Sequence, residues 1–323
     1  MKIVVLDGKT LNPGDLSWQA FEKFGTVEVY DRTTFDAGET DLVVQRAKDA
    51  EIILTNKTPL TGEMLEQLPR LKYIAVLATG FNVVDIAAAQ RLGITVTNIP
   101  TYGTDAVSQY AIALLLELCH HIGEHNLSVQ NGDWANSADW CYWNYPLTEL
   151  AGKTIGIIGY GRIGQKTGQI AQALGMEVIA YDIKPHADTI ARYVTLDTLF
   201  HSADVIVLHC LLTEETRKLI NTNTIEKMKK NVFLINNSRG ELVDQQALAD
   251  ALKNGKIAGA AVDVVEPELI AKDNPLLGLD NCIITPHISW ASHESRARLM
   301  DIAVENLEKY LGRQSVNVVN DKV

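Results

Sequence analysis

Short runs of apolar and β-branched residues alternate with helical patterns along the whole chain. Parallel strands need crossover connections, which are usually helices, so this alternation predicts βαβ units and parallel sheets of the α/β class. The first hundred residues contain strand patterns at Ile3–Leu6, Val27–Tyr30, Glu51–Thr55, Tyr73–Leu77 and Ile94–Asn98. A second series contains strand patterns at Thr154–Ile158, Glu177–Tyr181, Asp204–Leu208, Val232–Asn236, Ile257–Val262 and Cys282–Thr285.

Two helical patterns and one irregular segment stand apart from this alternation. Ala106–His121 predicts one long, largely buried helix. Ala291–Leu311 predicts a terminal helix that, by its pattern alone, can pack on either half of the chain. Residues 126–146 interrupt the alternation and are crowded with aromatic side chains. The six strands predicted from Thr154 onward are the number that a complete dinucleotide-binding domain requires.

Composition and charge narrow the class of protein. At 323 residues the chain is long enough for two domains of ordinary size. Its 46% hydrophobic and 21% charged residues are typical of a globular protein. The formal charge of −11 argues against nucleic acid or an anionic membrane surface as a partner. The most apolar helical stretch contains Glu117 and falls short of the ~20 residues that a membrane span needs.

The four cysteines are scattered along the chain, without a CxxC pair or the spacing of metal ligands. We therefore predict free thiols in a reducing compartment and no metal site. The chain opens directly on the strand pattern Ile3–Leu6, without a signal-peptide pattern before it. These features favour a cytoplasmic protein.

A glycine-rich turn follows the first strand of the second series. Gly159-Tyr160-Gly161-Arg162-Ile163-Gly164 has the glycine spacing that binds a dinucleotide pyrophosphate at a helix N-terminus. The first glycine permits a tight turn, the second lets the backbone approach phosphate, and the third lets the helix pack on the strand. Three glycines alone are weak evidence, but here a strand precedes them and a helical pattern, Arg162–Leu174, follows.

An acidic residue ends the next strand of the series. Asp182 stands where a carboxylate accepts hydrogen bonds from the ribose hydroxyls of NAD and repels the 2′-phosphate of NADP. The turn and this residue together predict NAD as the cofactor, with NADP less favoured. Lys184 follows closely, so strict selectivity against NADP stays open.

Residues suited to the reduction of a carbonyl follow three of the later strands, where ligands of α/β sheets bind. His287 can supply a proton near neutral pH, and Glu268 is a candidate carboxylate to hold and charge its ring. Arg239 can bind a substrate carboxylate and polarise a carbonyl. Asp263 can accept a hydrogen bond from the nicotinamide amide. Each residue alone has an ordinary structural explanation, but together at strand ends they predict a hydride-transfer enzyme.

In this combination and order, the motifs resemble those of the D-2-hydroxyacid dehydrogenase family over nearly the whole chain. The resemblance is greatest to the branch of glycerate dehydrogenases and hydroxypyruvate reductases. The matching stretches are Ala78-Thr79-Gly80-Phe81-Asn82, Val96-Thr97-Asn98, Gly103-Thr104-Asp105-Ala106-Val107, the glycine turn, Asn237-Ser238-Arg239-Gly240, Asp263-x-x-x-x-Glu268 and Thr285-Pro286-His287.

The resemblance implies an architecture and an assembly. A Rossmann NAD-binding domain, residues 101–287, is inserted in a flavodoxin-like substrate-binding domain formed by residues 1–100 and 288–323. The family also implies a homodimer through the NAD-binding domain, using the helix Ala106–His121 and the aromatic segment after it.

The resemblance further implies the residues of the site. His287 is the acid/base, Glu268 is its partner, and Arg239 completes the catalytic set. Backbone N–H groups around Thr79-Gly80 bind the substrate carboxylate, and Arg239 and His287 also contact the substrate. The residues implied at the cofactor are Gly159, Gly161, Arg162, Ile163, Gly164, Asp182, Cys210, Asn237, Ser238 and Asp263.

Three positions depart from the family pattern. Leu211 stands where a proline usually follows Cys210, which puts the shape of that cofactor loop in doubt. Gln109 replaces a common glutamate, a change that concerns helix packing rather than chemistry. Near the catalytic carboxylate the order is Glu266-Pro267-Glu268, so the partner of His287 is Glu268 by spacing, with Glu266 a competitor.

The leading hypothesis is therefore an NADH-dependent reductase of small 2-keto acids, with hydroxypyruvate or glyoxylate favoured. Trp290 and Tyr102 are each large enough to narrow a pocket for such substrates. A second hypothesis is an NAD-sensing interaction protein, like the corepressors of this superfamily, which keep the same three residues. Formate oxidation on this fold would require Gln in place of Glu268.

Overall fold

The computed structural model describes residues 1–185 and 190–320 of the chain. The described chain divides into two compact units. Unit 1 comprises Met1–Gly103 and the chain from Ala291 onward, and unit 2 comprises Thr104–Trp290. Unit 2 is thus inserted into the sequence of unit 1.

The observed strands agree with the predicted ones to within one residue at each end. The strands are β1 (Lys2–Val5), β2 (Thr26–Val29), β3 (Ile52–Thr55), β4 (Tyr73–Val76), β5 (Thr95–Thr97), β6 (Thr154–Ile158), β7 (Glu177–Tyr181), β8 (Arg192–Tyr193), β9 (Val205–Leu208), β10 (Val232–Asn236), β11 (Ile257–Val262) and β12 (Cys282–Ile284). Only β8 lacks a predicted counterpart.

The helices occupy the connections between these strands. They are α1 (Gln19–Glu22), α2 (Thr40–Ala47), α3 (Gly62–Glu66), α4 (Ile86–Arg91), α5 (Thr104–His120), α6 (Ile122–Gln130), α7 (Arg162–Ala173), α8 (Leu196–Ser202), α9 (Thr222–Lys227), α10 (Gln245–Lys253) and α11 (His293–Leu311). A short 3₁₀ turn forms at Gly240–Leu242. Among the residues that the structure describes, no helix is both long and apolar enough to cross a membrane.

Unit 1 is built on a five-stranded parallel sheet in the order β2-β1-β3-β4-β5. This is the flavodoxin-like strand order. Every residue of the central strands β3 and β4 is buried, because helices cover both faces of a parallel sheet. The apolar runs that predicted these strands are therefore the centre of the core of unit 1.

The terminal helix α11 packs on unit 1, a choice that its sequence pattern left open. Asn306 on α11 donates through Nδ2 to the carbonyl of Asn98, 3.0 Å away. Near the start of α11, the Arg296 guanidinium forms two hydrogen bonds of 2.8 and 2.6 Å to the Asp15 carboxylate. These bonds lower the pKa of Asp15 to about 2. Side-chain hydrogen bonds thus join α11 to unit 1, in addition to the apolar residues that the helix buries.

Unit 2 is built on a seven-stranded sheet in the order β12-β11-β10-β9-β6-β7-β8, in which all strands are parallel. Apart from β12, this is the Rossmann order. The predicted fold class, two parallel-sheet domains with a Rossmann domain inserted in a flavodoxin-like one, is therefore confirmed. The prediction of six strands was one too few, because the edge strand β8 has two residues and no apolar run.

The aromatic segment also differs from its prediction. It was expected to be irregular from residue 126, but α6 extends to Gln130. A break at His121, which has a left-handed φ of 49°, separates α6 from α5. Beyond α6 the chain is held by Ser128, whose hydroxyl lies 2.5 Å from Asp133 Oδ2 and 2.9 Å from the Tyr142 hydroxyl. Side-chain hydrogen bonds thus replace regular structure here.

Candidate active site

The parallel sheet of unit 2 gathers the predicted site residues at one edge. The carboxyl ends of its strands all lie at this edge, and the strand order reverses between β6 and β9. Ligands of open α/β sheets bind at such a reversal. The glycine turn follows β6, and the His209-Cys210 pair follows β9.

The three glycines of the turn have different steric surroundings. Gly159 has a φ of 92°, and a Cβ atom there would lie 2.4 Å from the backbone nitrogen of Cys210. A Cβ atom at Gly164 would lie 2.3 Å from the carbonyl oxygen of Gly159. Among the described residues, no atom lies within 4 Å of a Cβ atom at Gly161, which caps the N-terminus of α7. Two glycines are thus needed for packing, and the third keeps open a space suited to a phosphate group.

Asp182 is held against this turn. Its carboxylate accepts a hydrogen bond of 2.7 Å from the backbone N–H of Tyr160 and one of 2.9 Å from that of Lys184. A carboxylate offers about four acceptor positions, so two donors leave room for ribose hydroxyls. Arg162 and Ile163 form the first turn of α7. The residues predicted for the pyrophosphate and the ribose therefore lie together.

The loop after β9 packs beside the glycine turn. Burial lowers the pKa of His209 to about 4, and its Nε2 lies 2.9 Å from Thr167 Oγ1 on α7. Burial also raises the pKa of the Cys210 thiol to about 11. Neither group is charged near neutral pH, and the backbone of both residues lies against Gly159. Leu211, the departure from the family's proline, is 82% exposed.

The loop after β10 is organised by buried amides. Asn236 is fully buried, and its side chain donates to the carbonyl of Arg239 at 2.8 Å and accepts from the N–H of Ser238. Ser238 Oγ donates to the carbonyl of Cys210, which joins this loop to the one after β9. The Oδ1 atom of Asn237 is buried, with no hydrogen-bond partner among the described residues. Such an orphaned acceptor fits a site completed by a bound cofactor.

Arg239 leaves this loop as an exposed side chain, with Nη1 donating to the carbonyl of Ser238. The next residue, Gly240, touches the loop after β11, because a Cβ atom there would lie 2.2 Å from the backbone of Val265. The loop carrying the cation and the loop carrying Glu268 are therefore packed against each other.

His287 pairs with Glu268 in the structure. The Nδ1 atom of His287 lies 2.9 Å from Glu268 Oε1. The competitor, Glu266, has Oε1 3.7 Å from Arg217 Nη1 instead. Since a carboxylate can only accept, Nδ1 carries the hydrogen of this bond, and Nε2 stays available for proton transfer. The geometry thus distinguishes two glutamates that the sequence left as alternatives.

Asp263 organises the loop that bears His287, a structural role that the sequence did not indicate. The residue is fully buried, and its carboxylate accepts from Thr285 Oγ1 at 2.6 Å and from the backbone N–H groups of Ile288 and Ser289 at 2.8 Å each. The loop that bears His287 therefore wraps around this carboxylate. One acceptor position on Oδ2 is left for the predicted contact with nicotinamide.

Thr79 and Gly80 belong to unit 1, where they follow β4. The Thr79 hydroxyl donates to the carbonyl of Ile99, and the Thr79 carbonyl accepts from Asn98 Nδ2 at 2.7 Å. The backbone N–H groups of Thr79 and Gly80 have no acceptor within the described residues. A braced loop with two unused N–H donors is suited to an anion such as a carboxylate.

A Rossmann sheet with a glycine-rich turn, a carboxylate held against that turn and a histidine–glutamate pair is typical of an NAD-dependent oxidoreductase. The family described as "D-isomer specific 2-hydroxyacid dehydrogenase, NAD binding domain" matches residues 112–289. The chain belongs to this dehydrogenase family, and its cofactor is NAD.

Known proteins resemble the chain over most or all of its length. A hydroxypyruvate reductase of Blautia hydrogenotrophica is 57% identical, over 99% of this chain and 100% of that protein. A glycerate dehydrogenase of Methylorubrum extorquens is 44% identical, over 86% of this chain and 88% of that protein. Among solved structures, the D-lactate dehydrogenase of Aquifex aeolicus complexed with NAD and lactic acid has a TM-score of 0.83 and 30% identity, over 100% of both chains.

The contrast between Gly161 and Gly164 gives a matched test of the cradle. Gly161→Ala fills the open space without meeting protein atoms, so we expect an unchanged melting temperature and NADH binding weakened at least about tenfold. Gly164→Ala meets the carbonyl of Gly159, so its melting temperature should fall. Thermal unfolding and titration of NADH fluorescence measure both effects. If the Gly161→Ala variant binds NADH as tightly as the wild type, phosphate does not occupy the space beside Gly161.

Proposed function

We propose that this enzyme reduces a small polar 2-keto acid, with hydroxypyruvate or glyoxylate favoured, to the 2-hydroxy acid, which is the D isomer where the product is chiral. The proposal is carried by the 2.9 Å contact between His287 Nδ1 and Glu268 Oε1, at the sheet edge that bears the glycine cradle. The relatives named hydroxypyruvate reductase and glycerate dehydrogenase support the choice of substrate.

His287 is the acid/base of the proposed reaction. The bond to Glu268 keeps the hydrogen on Nδ1, so Nε2 is the atom that donates a proton to the carbonyl oxygen during reduction. In the oxidation of the hydroxy acid, Nε2 accepts the proton. Glu266 is bound to Arg217 and takes no part in this transfer.

Substrate binding uses a cation and backbone donors. Arg239 binds the carboxylate and polarises the keto oxygen, since its guanidinium presents paired N–H groups in a plane. The free N–H groups of Thr79 and Gly80 donate to the same carboxylate. Arg239 and His287 stabilise the charge that develops on the keto oxygen as it becomes an alcohol.

NAD is held by the residues of the cradle. Gly159, Gly161 and Gly164 admit the pyrophosphate to the N-terminus of α7, and Asp182 accepts from the ribose hydroxyls and disfavours the 2′-phosphate of NADP. The other residues proposed to contact it are Arg162, Ile163, Cys210, Asn237, Ser238 and Asp263. When bound as NADH, the cofactor supplies the hydride.

An NAD-sensing corepressor is the alternative function for this set of residues. The relatives with hydroxypyruvate reductase, glycerate dehydrogenase and D-lactate dehydrogenase names give the corepressor hypothesis no support.

For the cellular location of the enzyme we propose the cytoplasm. The four cysteines are free thiols, which suits a reducing compartment.

The substrate class and the acid/base are tested together by following NADH absorbance. We expect turnover of hydroxypyruvate and glyoxylate, and much slower turnover of pyruvate and of a bulky apolar 2-keto acid. His287→Ala removes the proton donor, so kcat should fall about 10²- to 10⁴-fold while NADH binding is kept. If NADH binds but none of the four acids is reduced, the proposed function is wrong.

We also propose that the enzyme is a homodimer through unit 2. The region around α6 exposes large apolar side chains beyond what a monomer usually leaves in water. Their exposed fractions are 62% for Ile122, 55% for Leu127, 87% for Trp140, 66% for Trp143 and 55% for Leu147. Three of them, Ile122, Trp143 and Leu147, line an open cavity of about 500 Å³. A second copy of this surface is the partner that the family resemblance implies.

The dimer is tested by size-exclusion chromatography with light scattering. We expect the wild type at twice the chain mass and Trp143→Asp at the monomer mass, because the charge cannot be buried unpaired. Phe35→Asp, at a 64% exposed apolar residue of unit 1, is the matched control and should stay dimeric. A wild-type protein that elutes as a monomer at micromolar concentration would contradict the proposal.

A further inference from the structure

His287 has a backbone conformation that its surroundings must impose. Its φ of 55° lies in the left-handed region, which a residue other than glycine rarely adopts. Its N–H lies 2.8 Å from the carbonyl of Asp263 and 3.0 Å from that of Thr285. These two acceptors fix the orientation of the peptide plane that precedes the Cα atom of His287.

The peptide plane that follows His287 is fixed by a tryptophan. Nε1 of Trp290 donates to the carbonyl of His287 at 2.9 Å. No other donor in the described part of the chain bonds to this carbonyl. On the other side of the same plane, the N–H of Ile288 donates to the buried Asp263 carboxylate.

Fixing both planes fixes the direction of the Cα–Cβ bond of His287. Only the two side-chain dihedrals then remain free, and the 2.9 Å bond from Nδ1 to Glu268 selects among their values. The position of Nε2, the proton-donating atom, thus depends on three supports: Asp263, Glu268 and Trp290. Asp263 is a buried carboxylate, and Glu268 bonds the histidine ring itself. Trp290 is a neutral indole, and its hydrogen bond to the backbone can be removed on its own.

We propose that Trp290 is a positioning residue, whose indole N–H holds the His287 carbonyl and so aims Nε2 at the substrate. The inference rests on the proposed acid/base function of His287. It assigns Trp290 a role different from a wall of the substrate pocket. A wall would act on substrate binding and preference, whereas a positioning residue acts on the chemical step.

Trp290→Phe tests this inference, because it removes the N–H and keeps an aromatic ring. We expect kcat for the preferred keto acid to fall about three- to tenfold, the size of one lost neutral hydrogen bond. The KM and the NADH dissociation constant should stay within about twofold of the wild-type values. The melting temperature should stay within a few degrees. The kinetic isotope effect on kcat with 4-deuterated NADH should rise, since the chemical step becomes slower relative to product release.

Trp18→Phe is the matched control for the exchange of rings. Trp18 is half-buried in unit 1, and its indole N–H has no hydrogen bond to any described residue. This variant should keep the wild-type kcat, KM and isotope effect. The wild type and His287→Ala are measured beside both variants.

Each outcome has one meaning. The positioning role is wrong if Trp290→Phe has the wild-type kcat and isotope effect, or if it changes only KM. In that case an inactive His287→Ala would still uphold the proposed function. The positioning role is also wrong if kcat of Trp290→Phe falls only in proportion to the fraction of protein that is no longer folded. If His287→Ala is as active as the wild type, the acid/base assignment fails, and the role of Trp290 fails with it.

Discussion

The buried carboxylate of Asp263 is the constraint on which the geometry of the site depends. A carboxylate without a neighbouring cation is costly to bury unless several donors satisfy it. Here the donors are the Thr285 hydroxyl and the N–H groups of Ile288 and Ser289. These hydrogen bonds hold the chain after β12 in a tight loop around the carboxylate, and His287 has its left-handed conformation inside that loop.

The parallel sheet supplies the rest of the arrangement. Five neighbouring strands, β6 and β9–β12, deliver their following loops to one edge, so residues far apart in sequence meet without long connections. The close approach of Gly240 to Val265 then packs the loop of Arg239 against the loop of Glu268. One topology and a few glycines therefore bring the glycine turn, Arg239 and the His287–Glu268 pair to the same edge of the sheet.

Much of this organisation can be read from the sequence, because the buried strands are continuous apolar runs and the chemical residues directly follow them. The strand β8 escaped prediction because two residues carry no periodic signal. Spacing favoured Glu268 over Glu266, but residue chemistry alone did not settle the choice between two glutamates. It depends on Arg217, which is distant in sequence and bonds Glu266. The bond from Trp290 to the His287 carbonyl could not be foreseen either, since it needs the left-handed turn.

We propose that Glu268 acts through His287, and a double-mutant cycle measures the coupling between the two residues. The rate constant kcat/KM for keto-acid reduction is measured for the wild type, His287→Ala, Glu268→Gln and the double variant. Residues that act as one unit are strongly non-additive. We expect Glu268→Gln to lower kcat/KM in the wild-type background and to have no further effect once His287 is alanine. Losses that multiply in the double variant would contradict it, because Glu268 would then act independently of His287.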